Sequence, residues 1–338
     1  MQQKEIASKL GVSPAVVSMV LHGQGRVSTA LRAKILAMAQ RNQVGLRKLR
    51  RRVDQASSTT TRRLAYCGLQ HRLGWFHVGT FSGLCEPLLG TTYEVGLVLA
   101  DIERGKTRAA MVADLVRRVT EMDLDGLIVG PHEDVYQALL PLGLPQVQIE
   151  YQVLRTDRDV VAPDNFMGAY WLAEGLLARG CRRIAVVRCL IEDLNSSEKF
   201  AGIRAAFERA GLELDPTLVV SGNCRYQAGA KCAGKLIETA SQPPDAIIFE
   251  NDWHAPEFVP YLRQHLPASW PRLAHMHVAM FCDSERENTL TTLYDRVLLP
   301  RAAMGRLAVR RLLERISSSG DDQPVVLRVA PIYTPAGP

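Results

Sequence analysis

Ser196 and Lys199 stand three apart in "SSEK", the spacing of a serine nucleophile activated by a lysine. "HMH" places His275 and His277 on one face of a strand, where two imidazoles could begin a metal site. Neither grows into a constellation. The companion motifs "SDN" and "KTG" of serine–lysine enzymes are absent, so Ser196 reads more simply as the cap of the helix that carries Lys199. No third metal ligand has suitable spacing from the two histidines. "GKT" at 105–107 lacks the upstream glycine of a phosphate-binding loop, because Ala100 holds that place, and neither GxGxxG nor GxSxG occurs. The seven cysteines are scattered and never spaced as CxxC, which suggests neither a disulfide framework nor a zinc ribbon. The expectation is a non-enzyme without metal or cofactor. The absence of a signal-like start or a long apolar run points to the cytoplasm, with no membrane partner.

What the chain does carry is charge, unevenly. Residues 1–63 hold thirteen Lys and Arg against Glu5 and Asp54, a balance of +11 that leaves −5 for the remainder of a +6 chain. Such a terminal block suits a polyanion, because neutralised phosphates release counterions and supply affinity without regard to sequence. A solvated tail is the alternative for "RKLRRR", but residues 1–40 have the pattern of a folded unit. "KEIASKL" puts Ile6 and Leu10 on one helical face, Gly11 suits a tight turn, and Ser13 with Pro14 opens a second helix. On that helix Val17, Val20 and Leu21 point inward with Pro14 near them. Ala15, Ser18, Met19 and His22 point outward, and Val16 flanks. A third helix capped by Ser28 buries Leu31, Ile35 and Met38. Helix, turn, helix and supporting helix is the layout of a helix-turn-helix unit.

The remainder alternates strand and helix patterns. "LAYCGL", "YEVGLVLA", "DGLIVG", "PQVQIE", "RRIAVV", "LVVSG", "DAIIF" and "HVAMF" read as strands between helices at 107–121, 166–179, 198–210, 227–240 and 300–316. This is an α/β body with parallel sheets built from right-handed crossovers.

"EIASKLGVSPAVVSMVLHGQGRVSTALRAKIL" resembles the N-terminal signature of the lactose-repressor/galactose-repressor (LacI/GalR) transcription regulators. "VAPDNFMGAYWLAEGLLARGCRRIAVV", "FAGIRAAFERAGLELDP", "PDAIIFENDWHA" and "LTTLYD…AMGRLAVRRLLERI" are similar, in order, to landmarks of that family's effector domain. The resemblance implies a DNA-binding domain at 1–46, a basic hinge at 47–63, and a two-subdomain periplasmic-binding-protein-like effector and dimerisation domain at 64–338. It divides the last into 64–155 plus 284–316 and 160–282 plus 320–334, joined by three crossings, with the helix near 300–316 returning to the first subdomain. It further implies a homodimer on an inverted-repeat DNA operator, controlled by a small-molecule effector.

Carried over by position, the effector contacts are Asp164, Lys199, Tyr226, Asn251, Asp252 and Asp283. Lys199 stands where the family carries arginine; a compact ammonium suits a phosphate or carboxylate at least as well as a sugar diol. Cys282 replaces the family's ligand-binding aspartate, Asp164 could instead cap its helix, and Trp75, Phe76, Tyr226 and Trp253 are candidate stacking walls. The DNA contacts are Ser13, Pro14, Ala15, Val16, Ser18, Met19, His22 and Ser28, with Arg47, Lys48, Leu49 and Arg52 in the hinge. Pro14, Ala15 and Met19 hold the family's base-reading positions without one side-chain donor, which predicts apolar contact with thymine methyls and an A/T-rich half-site. The hinge "QVGLRKLRRRVDQ" lacks the family's tyrosine and proline and puts Arg52 where a wedge leucine is expected, so a weaker kink is predicted. A small-molecule-binding α/β protein with a degenerate DNA module is the other reading.

Overall fold

The computed structural model describes residues 3–21, 27, 31, 34–35, 38, 61–70, 75–101, 106–151, 153, 155–189, 194–222, 228–270, 276–282, 294–318 and 323–336. They fall into two compact units, Met1–Arg62 and Arg63–Pro338.

In the first unit, α1 (Gln3–Leu10) and α2 (Pro14–Leu21) are joined by a turn at Gly11, whose φ of 64° is a left-handed conformation that glycine adopts without Cβ strain. Val12 N–H closes the turn onto Ala7 O at 3.0 Å. Ser13 Oγ accepts from Val16 N–H at 3.3 Å, the N-cap expected from its position. Ile6, Ala7, Val17, Val20 and Ile35 are buried together, with Leu31 and Met38 packed partly against them. Each large aliphatic side chain buried here contributes about 1.5–3 kcal/mol. Residues 31, 34, 35 and 38 are helical, where the third helix was expected. Pro14 and Ala15 are exposed and Val16 is half-buried, while Val17 and Val20 face the buried cluster.

The second unit holds two six-stranded sheets. The first is formed by β1 (Arg62–Gln70), β2 (Tyr93–Asp101), β3 (Gly126–Val129), β4 (Gln146–Ile149), β5 (Asp159–Pro163) and β11 (Val326–Val329), in the order β11-β5-β4-β3-β1-β2. The second contains β6 (Ile184–Cys189), β7 (Val219–Gly222), β8 (Ala246–Phe249), β9 (His277–Cys282), β10 (Asp295–Leu298) and β12 (Ile332–Thr334), in the order β12-β10-β9-β8-β6-β7. The central pairings in both are parallel, whereas β12 runs antiparallel to β10. Helices α3 (Trp75–Cys85), α4 (Arg108–Glu121) and α5 (Glu133–Leu139) follow strands of the first sheet; α6 (Asn165–Ala178) follows β5 but packs on β8, β9 and β10 of the second, and α7 (Leu194–Arg209), α8 (Gly229–Thr239) and α9 (Ala255–His265) follow strands of the second. Both faces of each sheet are therefore covered, and β3, β4 and β8 are buried throughout, as parallel strands under helices require.

The long α10 (Arg301–Ser317) returns to the first sheet, packing on α3, β3, β4 and β5. It approaches α3 so closely that a Cβ on Gly83 would lie 2.0 Å from the Ala302 carbonyl oxygen, so glycine is what lets the two helices meet.

The chain passes between sheets three times: after β5, between β10 and α10, and between β11 and β12. A proline stands at each passage, Pro163, Pro300 and Pro331, and fixes φ where the direction changes. These passages correct the expected subdomain pieces. β5 (159–163) and β11 (326–329) belong to the first sheet and β10 (295–298) to the second, because β5 pairs with β4 and β11, and β10 pairs with β9.

Candidate ligand cleft and nucleic-acid interface

The carboxyl ends of both sheets meet at one cleft, where ligands of open α/β sheets gather. The first subdomain contributes Glu150, just after β4, and Arg301, the first residue of α10. The second contributes Asn195, Ser196 and Lys199 from α7, Glu250, Asn251 and Trp253 after β8, and Phe281 and Cys282 from the end of β9.

Each wall carries one buried glutamate closed by an arginine. Glu150 takes a φ of 59°, unusual for a residue with a Cβ, and its carboxylate pairs with the Arg301 guanidinium. Beneath that pair, Tyr66 Oη and His77 Nδ1 lie 3.0 Å apart. Burial, with His132 and Arg301 adding like charge, pushes the His77 imidazole down to about 4, so it is neutral near pH 7. Burial likewise drives the Tyr66 phenol far above its usual range. On the opposite wall Glu250 accepts from Arg188 Nε at 3.0 Å, Ser196 Oγ at 2.7 Å and Cys189 N–H at 3.1 Å. Cys189 is disulfide-bonded, although the spacing of the cysteines suggested no disulfide framework.

The side chain of Lys199 reaches over the Phe281 ring, 4.4 Å from its centre, and Nζ donates to the Glu250 backbone oxygen at 2.9 Å. No carboxylate among the described residues pairs with it. Asn251 uses Oδ1 to accept from Trp253 N–H at 3.1 Å, which fixes the orientation of its amide and leaves Nδ2 as a donor.

A polar clamp sits beside the cleft. Glu198 on α7 receives Arg328 from β11 at 2.6 and 2.9 Å and the Tyr151 hydroxyl at 3.1 Å. Asn195 Nδ2 donates to Tyr151 O at 3.1 Å, and Asn165 Nδ2 to Asn195 Oδ1 at 2.9 Å. The clamp thus ties the helix bearing Lys199 to the first subdomain.

Of the effector residues expected from the sequence, Lys199 and Asn251 line the cleft, as does Trp253. Asp164 caps α6, accepting from Met167 N–H at 3.0 Å, and Asp252 is not among the lining residues. Tyr226 and Asp283 lie outside the described residues. Ser196 is not a helix cap: α7 begins at Leu194, so the hydroxyl falls inside the first turn and serves Glu250. His277 is exposed at the start of β9, and His275 lies outside the described residues, as do the side chains of Trp75 and Phe76. Among the described residues no cluster of His, Cys, Asp or Glu could hold a metal, and no helix is long and apolar enough to cross a membrane. The sequence reading missed Glu150, Arg301 and Glu250; the one signal was a glutamate ending each of the runs "PQVQIE" and "DAIIFE".

In the other unit, the exposed Ser13, Pro14 and Ala15 and the half-buried Val16 form the start of α2. The side chains of Ser18 and Met19, together with His22, Ser28, Arg47, Lys48, Leu49 and Arg52, lie outside the described residues.

Comparison with known proteins agrees with this architecture. Residues 173–334 match the family described as periplasmic binding protein-like domain. The ribose operon repressor of Escherichia coli (strain K12) is 24% identical over 326 residues, covering 93% of this chain and 92% of that protein. The regulator CelR of Thermobifida fusca is 26% identical over 329 residues, covering 92% and 91%. Over most of its length the chain is thus similar to transcription regulators that carry such a domain. The solved CelR–cellobiose complex has the same fold, with a TM-score of 0.67 at 21% identity and 98% of each chain covered.

Proposed function

We propose that this chain is a sequence-specific DNA-binding transcription regulator, a repressor acting as a homodimer on an inverted-repeat operator, with operator affinity set by a small polar molecule in the cleft. The observation that carries the reading is one chain holding both a capped helix-turn-helix and a two-walled cleft with unspent donors. A single reading helix covers few base pairs, and twofold pairing doubles the site. Ligand acts by binding one cleft conformation better, so the shift in operator affinity equals the coupling free energy between the two sites.

The reading surface favours apolar contact. Ala15 is exposed at the first turn of α2 and offers only a methyl group, which suits thymine methyls and gives modest discrimination per base. The same feature supports the second reading, a ligand-binding α/β protein whose DNA module has lost specificity.

Binding of the purified protein to duplexes across a salt series separates the two. A specific reader holds a preferred sequence with a tighter Kd than scrambled DNA at every salt, while both weaken with a slope near 0.9 per neutralised phosphate. Equal Kd values for all sequences contradict the proposed function.

A further inference from the structure

The cleft's committed and uncommitted groups differ in sign. Both lining carboxylates are neutralised, Glu150 by Arg301 and Glu250 by Arg188, and Glu198 beside them is taken up by Arg328. Lys199 is held only by a neutral backbone oxygen and an aromatic face, so its charge has no counterion among the described residues. Asn251 spends its acceptor on Trp253 N–H and keeps its donor. Cys282 brings a thiol, not a carboxylate, to the same wall. The first turn of α7, which bears Asn195 and Ser196, adds the partial positive end of a helix. Among the described residues, what this leaves for a ligand is one positive charge, on Lys199, and the Asn251 amide donor. A neutral polyol leaves that ammonium uncompensated when the cleft closes and water leaves, which is costly.

We infer that the ligand is a small polyhydroxylated monoanion, a sugar acid in place of a neutral sugar, with its carboxylate on Lys199 Nζ and Asn251 Nδ2. This rests on the reading of the cleft as the effector site. One carboxylate matches the one ammonium that has no counterion among the described residues, whereas a phosphate dianion brings a second charge. Charge-assisted hydrogen bonds of this kind are about twice as strong as neutral ones.

The test is calorimetric titration of the full chain with gluconate, glucose and glucose 6-phosphate, repeated with Lys199→Gln and Lys199→Arg. The expected result is binding of gluconate at least ten times tighter than glucose, a loss of tenfold or more in Lys199→Gln, and recovery of most of it in Lys199→Arg. Glucose binding equal to or tighter than gluconate, or gluconate binding untouched by Lys199→Gln, overturns the inference while leaving ligand control intact. Tightest binding of glucose 6-phosphate overturns the monoanion and moves the assignment to phosphate esters. No binding by any of the three overturns the sugar-acid assignment; a DNA preference measured separately still stands or falls by itself.

Discussion

The two walls of the cleft use the same device, a buried glutamate closed by an arginine, yet they are assembled differently. Glu250 and Arg188 lie on one sheet, and the carboxylate has two further partners in Ser196 and the Cys189 N–H. Glu150 lies at the end of β4, and Arg301 reaches it from α10, 151 residues later, as the chain re-enters the first subdomain. One wall is built from neighbours and gives its carboxylate three partners; the other carboxylate has, among the described residues, the one side-chain partner delivered by a crossing segment. The wall with redundant bonds is also the one that carries Lys199, so the group with unspent charge sits on the better-braced side.

Removing the arginine from each wall breaks this comparison most sharply. Arg301→Met leaves Glu150 buried without its partner, and urea unfolding is expected to show a loss of about 4 kcal/mol. Arg188→Met leaves Glu250 two hydrogen bonds, so the expected loss is smaller, about 2 kcal/mol. Equal losses would mean that the redundancy around Glu250 counts for nothing.

A pH series examines the first wall from beneath. The native His77 takes its proton only near pH 4, while the unfolded chain takes one near its ordinary 6.5. The unfolded state therefore binds more protons between these values, and stability drops as pH falls from 6.5 to 4 and levels off below. The full contribution is about 3 kcal/mol at most. His77→Gln should remove that part of the slope, read as the difference between the two proteins' stability curves; parallel curves would show that His77 titrates normally.

The smallest effect is expected at the clamp between the walls. Glu198→Gln weakens a bidentate pair that is partly open to solvent, and about 1 kcal/mol of stability is at stake. Its use is as a contrast: the variant should alter ligand affinity through the closing equilibrium while leaving gluconate-over-glucose selectivity in place. A change in that selectivity would assign Glu198 to the ligand itself.

Much of this fold was written locally. Runs such as "DGLIVG" and "DAIIF" are uniformly apolar because both faces of a parallel strand are covered, and they stand out without any partner being known. β10, "DRVL", and β11, "VLRV", are short and carry arginines, so only their pairing with β9 and β5 makes them strands. α3, "WFHVGTFSGLC", is apolar on nearly every side and shows no helical period, which hid it. The cleft followed the same division. Lys199 and Asn251 could be placed from local motifs, whereas the Glu150–Arg301 pair could not, because its two halves meet only through the crossing into α10. The DNA-reading side was legible in kind: the glycine turn, the Ser13 cap and the buried Val17 and Val20 all have local causes.

The central claim is that the chain reads DNA in a sequence-specific manner under ligand control, and selection of genomic fragments by the purified protein at near-physiological salt tests it most directly. The account predicts recovered fragments that share an inverted repeat with A/T-rich half-sites. Recovery of fragments with no common motif would contradict it.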